Sequence, residues 1–233
     1  MKPNIGIIEW PYKDLDGDTI YEIMLPMVEW VIKTGGNPIG IFPPNIDDFL
    51  NKKIKEIKNL TEIEMLDLKN SLKLCDAIIK PGATRIYNHD RVIYNIAYEN
   101  NIPYLGICAG MQVMANNNNK EIINIKNDSD INHHSKEMYA HEVIVNKKSN
   151  LYKILKKEII MVNSRHNYHV GNINDNIVCA KSIDGIIEAI ENPNLDFHLG
   201  LQWHPELLPK DDENSNIIFS ELVEHAKVYK RKK

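Results

Sequence analysis

The sequence feature that most constrains this chain is a cysteine between two glycines, where an apolar, strand-like segment passes into a helical one. The pattern predicts a strand over Ile102 to Ile107 and a helical stretch over Met111 to Ala115, with Cys108 between them and Gly106 and Gly110 two residues to either side. A turn of this kind lifts the central side chain above the sheet, and its flanking residues must be small because strand and helix approach closely. The junction therefore predicts an α/β sheet built around it.

The pattern of the remaining chain agrees with this expectation, because short apolar strands alternate with longer amphipathic segments in the first half. Besides the strand before the cysteine, the predicted strands are Asn4 to Glu9, Pro38 to Phe42 and Cys75 to Lys80. The predicted helices are Tyr21 to Lys33, Leu60 to Leu74 and His89 to Asn100. Such alternation is typical of a mixed, largely parallel sheet with helices on both faces.

Short β-rich segments dominate the second half of the chain. They are Glu121 to Ile125, Ala140 to Val145, Ile159 to Asn163, Asn176 to Ala180, Gly185 to Ile190 and His198 to Trp203. A last amphipathic helix is predicted over about Asn214 to Tyr229, and the asparagine run Asn116 to Asn119 predicts a polar loop. We treat residues 1–233 as a single domain, since a chain of 233 residues can bury one substantial core.

Composition narrows the class of protein. The net charge of −4 gives no electrostatic reason to expect nucleic acid or an anionic membrane as a partner, which favours a small-molecule substrate. No apolar run approaches the roughly 20 residues that span a bilayer, and no signal peptide is recognised, so we expect a cytoplasmic protein. The three cysteines are widely spaced and odd in number, which predicts reduced thiols.

Cys108 is the candidate nucleophile. The start of a helix offers backbone N–H groups and the positive end of the helix dipole, which favour the reactive thiolate. Gln112 follows one helical turn later on the same face, within reach of whatever binds beside the sulfur. Taken alone, a Gly-x-Cys-x-Gly segment is explained as well by a small buried residue in a glycine-rich turn.

A second segment, Trp203 to Glu206, supplies the partners that a cysteine nucleophile needs. His204 can act as the base, and Glu206 can orient the imidazole from two positions along a segment that we expect to be extended and stiffened by Pro205. The alternative is a strand-end histidine with a capping role. Together with Cys108, the pattern predicts a catalytic triad of Cys108, His204 and Glu206.

The other histidines do not follow a metal-binding pattern. No His-x-x-x-His helix and no Cys/His knuckle involves His133, His134, His141, His166 or His169, so the spacing predicts no metal site. We expect the His133–His134 segment to be a loop near the mouth of the site.

Five blocks, in order, resemble the class I glutamine amidotransferase-like proteins, in particular the γ-glutamyl hydrolase branch (peptidase C26) that includes γ-glutamyl-γ-aminobutyrate hydrolase. They are the cysteine turn, the Trp203 to Glu206 segment, and Cys75 to Ala83, Val162 to His166 and Asp184 to Ala189. The resemblance spans nearly the whole chain. It implies a three-layer, flavodoxin-like class I glutamine amidotransferase fold and no cofactor.

The resemblance also implies roles for individual residues. The implied reaction is acyl transfer from a γ-glutamyl amide through a γ-glutamyl thioester on Cys108, which water would hydrolyse to glutamate. An oxyanion hole would use backbone N–H groups of Ala109 and of the Gly82–Ala83 loop, and backbone donors tolerate alanine in place of the family's glycine at Ala83. The residues implied in binding the glutamyl group are Gln112, Ser164, Arg165, His166, Asn167 and Tyr168.

One loop departs from the family's pattern. Where the family often carries an acidic, proline-containing loop, this chain has a short segment with a cation, Ala83 to Asp90. Arg85, Tyr87 and His89 are open to two interpretations, since they fit contacts to an anionic leaving group and also ordinary surface positions.

Three functions follow from these observations. The leading hypothesis is a free-standing cysteine hydrolase of a small γ-glutamyl amide, because the triad is complete and no synthetase domain is present to use ammonia. The first alternative is a glutaminase subunit that delivers ammonia to a separate synthase, the one reading that requires a protein partner. The second is a non-catalytic γ-glutamyl-binding protein. The amine leaving group is not defined by the sequence, and a homodimer is left open.

Overall fold

A computed structural model of the chain describes residues 1–44, 59–115, 122–125 and 129–233. The strands are β1 (Asn4–Ile8), β2 (Trp10–Lys13), β3 (Thr19–Glu22), β4 (Asn37–Ile41), β5 (Ala77–Lys80), β6 (Tyr104–Ile107), β7 (Ile122–Asn124), β8 (His141–Val145), β9 (Ile159–Val162), β10 (Tyr168–Val170), β11 (Ile177–Ser182), β12 (Ile187–Glu191) and β13 (His198–Leu201). The helices are α1 (Leu25–Lys33), α2 (Glu62–Leu72), α3 (Asn88–Glu99), α4 (Ala109–Ala115), α5 (Asn150–Leu155) and α6 (Glu213–Lys232). None of the helices described has the length and apolar character required to cross a bilayer.

One nine-stranded sheet organises the fold, in the order β4-β1-β5-β6-β13-β12-β11-β8-β9. The five strands from β4 to β13 run parallel, and the remaining strands pair antiparallel. Counted along the chain, the parallel strands follow the order 2-1-3-4-5, which is that of the flavodoxin-like folds. The predicted α/β fold with a mixed sheet is therefore confirmed.

Helices cover both faces of this sheet and build two apolar cores. On one face, α1, α5 and α6 contribute residues such as Trp30, Leu151 and Phe219. On the other face, α2, α3 and α4 contribute Leu72, Ile93 and similar residues. Because both faces are covered, the central strands are buried throughout, which explains why they read as continuous apolar runs in the sequence.

The helix predicted over Tyr21 to Lys33 is wrong in its first turn. Tyr21 belongs to β3, which pairs with β2 as a separate hairpin, and the helix begins at Leu25. Pro26 lies in its first turn, where the missing N–H of proline removes no helical hydrogen bond. The apolar periodicity that predicted the helix continues across the connection between β3 and α1, and the local sequence there has no strong turn signal.

The second half also contains elements that pattern reasoning missed. Helix α5 is capped by Ser149, whose hydroxyl accepts a hydrogen bond from the Tyr152 N–H, and β10 pairs with β7 outside the main sheet. Strand β12 starts two residues later than predicted, because Gly185 occupies a turn with φ +89°. Helix α6 extends to Lys232. The predicted loop at Asn116 to Asn119, and Glu121, lie outside the described residues.

Candidate active site

Three neighbouring strands end at one edge of the sheet and carry the predicted site residues. Strand β5 leads into Gly82, β6 into Cys108, and β13 into His204. The register pairs Leu201 with Ile107, and the Cys108 N–H continues the ladder by donating to the Leu201 carbonyl at 2.7 Å. The carboxyl ends of parallel strands are where open α/β sheets place their ligands, so topology brings together residues nearly one hundred positions apart.

Cys108 lies between the last residue of β6 and the first residue of α4, with the left-handed backbone angle φ +51°. Non-glycine residues rarely adopt this conformation, and it aims the side chain away from both the strand and the helix. A Cβ atom at Gly106 would lie 2.5 Å from the Gly110 backbone, which confirms that strand and helix touch here. The residue is 9% exposed, so Cys108 is almost fully buried.

Gly82 packs directly against the cysteine and the histidine. A Cβ atom at this position would lie 2.6 Å from His204 Cε1 and 3.3 Å from Cys108 Cβ. The backbone of the Gly82–Ala83 loop therefore runs immediately beside the thiol. Ala109 begins helix α4, so its N–H has no partner within the helix.

His204 and Glu206 form a buried pair. His204 Nδ1 lies 2.7 Å from Glu206 Oε1, and the Cys108 thiol is within hydrogen-bonding reach of the same imidazole. Burial by itself would lower the pKa of His204, but the Glu206 carboxylate and the hydrogen bonds to Cys108 and Glu206 raise it to about 10. The imidazole therefore holds its proton at neutral pH.

The sequence predicted an extended segment around Glu206, and this prediction is wrong. The segment forms a 3₁₀ turn over Pro205–Leu207. Proline is tolerated in the first turn of such a helix, which explains the difference. The turn is fixed from α6 by Ser215, whose buried hydroxyl donates to the Pro205 carbonyl at 2.9 Å. The carboxylate reaches the imidazole in spite of the changed backbone.

Asn163, the residue directly after β9, makes a contribution that the sequence analysis missed. Its Oδ1 accepts a hydrogen bond from the His204 N–H at 2.8 Å, and its Nδ2 donates to the His204 carbonyl at 2.7 Å. Both partners are buried. Asn163 is part of the Val162 to His166 block that resembles the family. Its contact with His204, however, is visible only in the tertiary structure.

A cavity of about 550 Å³ opens beside the cysteine. Its walls include Cys108, Ala83 of the predicted oxyanion hole, and most of the predicted binding residues, namely Gln112, Arg165, His166, Asn167 and Tyr168. Gln112 Nε2 contacts the Tyr168 carbonyl and Gln202 Oε1, both at 3.4 Å, and so links α4 to the start of β10 and to the residue after β13. Ser164 does not line this cavity, because its buried hydroxyl donates to the His133 carbonyl at 2.9 Å.

Some side chains of the loop from Ala83 to Asp90 line the cavity, and others are buried in the protein interior. Arg85 lines the cavity, with its guanidinium 5.4 Å from the centre of the Tyr87 ring. His89 stacks on the other side of this loop against Tyr87 and is buried next to Asp90. Of the three residues left open by the sequence, Arg85 therefore has the most direct access to a ligand.

A buried ion pair connects the two ends of this loop region. Lys80 Nζ lies 3.2 Å from Asp90 Oδ1, and both side chains are almost fully buried. Burial would raise the pKa of Asp90, but Lys80 and His89 hold it below its ordinary value. The pair ties the end of β5 to the start of α3.

Three of the remaining histidines come together next to the cavity, and His134 lines the cavity itself. His133, His141 and His166 lie beside Glu188, and all four are buried. We call these residues the histidine–glutamate cluster. The sequence predicted no metal site because the local spacing carries no metal-binding pattern, whereas the cluster is assembled from four separate segments.

Comparison with known proteins identifies a family and several relatives. A family model described as Peptidase C26 matches residues 13–206. A putative glutamine amidotransferase of Schizosaccharomyces pombe (PB2B2.05) is 29% identical over 216 residues, which cover 87% of this chain and 81% of that protein. The γ-glutamyl-γ-aminobutyrate hydrolase PuuD of Escherichia coli is 30% identical over 143 residues, 56% of each chain, so the alignment spans little more than half of that relative.

The fold agrees with a solved structure as well. The glutaminase domain of the Trypanosoma brucei CTPS, solved with bound acivicin, superposes with a TM-score of 0.64 and 20% identity, and the alignment covers 95% of this chain and 94% of that one. This chain belongs to the Peptidase C26 family of class I glutamine amidotransferase-like proteins.

Proposed function

We propose that this protein is a cysteine-dependent hydrolase that cleaves the γ-glutamyl amide bond of a small compound and releases glutamate and an amine. The observation that carries the proposal is the position of Cys108, on a strained turn, beside an imidazole that Glu206 keeps protonated, and facing a cavity. Family membership supports hydrolysis of an amide. The γ-glutamyl specificity is inferred from the resemblance of the sequence and from the PuuD relative.

In the first half of the reaction, the Cys108 sulfur attacks the carbonyl carbon of the amide as a thiolate. The C–S bond forms, the C–N bond breaks, and the proton on His204 passes to the departing nitrogen. Glu206 accepts the hydrogen bond from Nδ1–H, which leaves Nε2 as the nitrogen that exchanges protons with sulfur and amine. The product of this half is an amine and a γ-glutamyl thioester.

In the second half, His204 takes a proton from water, and the resulting hydroxyl attacks the thioester. The C–S bond breaks, the thiolate returns beside the imidazolium, and the new carboxyl group loses its proton to solvent. Each half passes through an oxyanion, which the N–H of Ala109 and the Gly82–Ala83 backbone would bind. The close packing of Gly82 on Cys108 supports this assignment.

The two ends of the substrate would contact different walls of the cavity. On the glutamyl side, we assign Gln112 and the loop over Arg165, His166, Asn167 and Tyr168, which line the cavity together. Ser164 would act indirectly, because its hydroxyl is bound to His133.

The leaving-group side points to an amine that carries a carboxylate. The lining residues not assigned to the glutamyl group include Arg85 and His134, and none of the described lining residues of the cavity is acidic. A negatively charged leaving group would therefore meet favourable charges there, whereas a polyamine would be repelled. Tyr87 and His89 would support Arg85 from the loop.

The test is glutamate release by the purified chain from three matched γ-glutamyl amides, whose leaving groups are an ω-amino acid, a neutral alkylamine and a diamine, with glutamine alongside. We expect the ω-amino acid amide to be cleaved best. Cys108→Ala should abolish release from every substrate, while Cys75→Ala, a substitution at a buried thiol outside the cavity, should retain it. Arg85→Gln should lower kcat/KM roughly fivefold for the anionic amide only, the effect of one partly exposed charge.

The same experiment separates the other candidates. Hydrolysis of glutamine alone, or activity that appears only when a synthase is added, would assign the chain as a glutaminase subunit, a role that the match to a glutaminase domain keeps open. Binding of the amides without turnover would contradict the hydrolase and indicate a γ-glutamyl-binding protein. Turnover retained in Cys108→Ala would contradict the role of Cys108 as the nucleophile.

A further inference from the structure

The histidine–glutamate cluster is a second concentration of chemically active groups, which shares His166 with the wall of the cavity beside Cys108. His141 is the first residue of β8, His166 lies in the loop after β9, and Glu188 is on β12. His133 comes from the segment before β8. Every member is at least nine-tenths buried, and each offers one ligand atom within 4.8 Å of the others.

The atoms of the cluster converge on one carboxylate oxygen. Glu188 Oε1 lies 3.3 Å from His133 Nδ1, 3.6 Å from His141 Nε2 and 3.5 Å from His166 Nε2. Ligands held about 2.0–2.1 Å from a tetrahedral ion are themselves about 3.3 Å apart, which matches these separations. The other separations among the four ligand atoms stay within 4.8 Å.

The far side of each ring is already engaged by a hydrogen-bond acceptor. His141 Nδ1 lies 3.2 Å from the Glu142 carbonyl, and His166 Nδ1 lies 3.1 Å from the Tyr168 carbonyl. His133 Nε2 lies 2.9 Å from the Asp184 carboxylate. A carbonyl or carboxylate can only accept, so the outer nitrogen carries the proton and the inner nitrogen of a neutral ring offers its lone pair.

His133 Nδ1 lies 3.4 Å from the Ser164 hydroxyl, whereas the other inner atoms are left without hydrogen-bond partners. His141 Nε2, His166 Nε2 and both oxygens of Glu188 are buried and have none among the described residues. Lone pairs that face a carboxylate in a dry interior repel one another unless a cation or extra protons lie between them. The outer hydrogen bonds are the arrangement that orients histidines towards a metal ion.

We propose that the histidine–glutamate cluster is a structural site for a divalent transition-metal ion, with zinc as the ion whose preferences its ligands meet. Three imidazoles and one carboxylate suit Zn²⁺, whereas Mg²⁺ and Ca²⁺ favour sites made of oxygen ligands. All four tetrahedral positions are filled by protein, so the ion has no position for an activated water and stabilises the fold instead of reacting.

The ion would fix the loop that lines the cavity. His166 belongs to both the cluster and the cavity wall, and it places the loop before β10 next to Glu188 on β12 and His141 on β8. A bound ion would therefore hold four distant segments together and order the cavity wall. This proposal does not rest on the hydrolase reaction, since an ion site would be present whichever substrate the cavity takes.

The test uses the full chain, treated with a chelator and titrated with Zn²⁺ and, separately, with Co²⁺. We expect one Zn²⁺ per chain with Kd of about 0.1 μM or tighter, a rise in the unfolding temperature, and Co²⁺ absorption bands of a tetrahedral site. X-ray absorption should give Zn–N/O distances of about 2.0–2.1 Å with imidazole scattering. His141→Ala should abolish tight binding, and His225→Ala, on the outer helix α6, should bind like the wild type.

The proposal would be overturned if the wild-type chain bound Zn²⁺ and Co²⁺ more weakly than about 10 μM. It would also fail if His141→Ala bound zinc as tightly as the His225→Ala control. Either result would leave a cluster held by protons between its imidazoles and Glu188. Because the wild-type titration and absorption spectra are decisive on their own, an unfolded variant would not obscure the outcome, and neither readout depends on glutamate release.

Discussion

Asn163 and His204 are joined by two hydrogen bonds that run in opposite directions, from the His204 N–H to Asn163 Oδ1 and from Asn163 Nδ2 to the His204 carbonyl. A single side chain thus fixes both polar groups of the histidine backbone. The imidazole has a separate partner in Glu206. The orientation of the proposed base therefore depends on a strand that contributes nothing to the triad itself.

We predict that Asn163→Ala lowers kcat by roughly one to two orders of magnitude, because an ångström of displacement at a reacting group has an effect of this size. The loss of a buried partner should also destabilise the fold by about 1–3 kcal/mol. The matched control is Asn176→Ala, which removes a buried amide that donates to the Met114 carbonyl. Equal losses of turnover in both variants, with unchanged pH profiles, would show that Asn163 is merely structural.

We predict that Gly82→Ala inactivates the protein without unfolding it. The added methyl group would lie 2.6 Å from His204 Cε1, so it would separate the imidazole from Cys108. Loss of at least 100-fold in kcat/KM is expected, from displaced catalytic groups. Ala83→Gly, next to it, removes a methyl group from the same loop and should remain within about threefold of the wild type. Circular dichroism checks the fold, and an active Gly82→Ala would contradict the geometry.

The three cysteines should differ in reactivity at neutral pH. Burial raises the pKa of Cys75 to about 11 and raises the pKa of Cys179 well above its ordinary value. Both thiols are therefore protonated at neutral pH, and both are buried. We predict that iodoacetamide modifies Cys108 alone, as read by peptide mass spectrometry. Cys108→Ala should then resist modification in the native state and react at the other two thiols only after denaturation. Native labelling of Cys75 at a similar rate would count against this prediction.

Glu9 should make stability depend on pH. It is 5% exposed, and burial raises its pKa from 4.5 to about 7. Since the folded state favours the protonated form, the stability associated with Glu9 is fully present below about pH 4.5 and is lost as pH rises through 7. The loss is at most about 3 kcal/mol.

The corresponding variant is Glu9→Gln, which keeps the shape of the side chain and removes the charge. We predict that it is more stable than the wild type at pH 8, that the two are similar near pH 4.5, and that its unfolding temperature changes less between these values. Glu99→Gln, at an exposed position of α3, should follow the wild-type curve. Parallel curves for Glu9→Gln and the wild type would show that Glu9 is not the cause.

Much of the parallel half of the fold was predictable from local sequence. The strand before Cys108, the strand that ends at Lys80 and the helices between them follow from apolar periodicity and from turn residues, both of which act over a few positions. The start of α1 was not predictable in this way. Whether Tyr21 joins the helix or the hairpin depends on the strand that pairs with it, and pairing is a tertiary property.

The sequence by itself determined the turn at Cys108, because the requirement for small residues at Gly106 and Gly110 is steric and local. It also placed a histidine and a carboxylate two positions apart at His204 and Glu206. Only the tertiary structure decided that β13 lies beside β6, that Asn163 brackets His204, and that four distant segments form the histidine–glutamate cluster. Contacts between segments far apart in the chain cannot be predicted from local residue spacing, because they depend on strand order and packing.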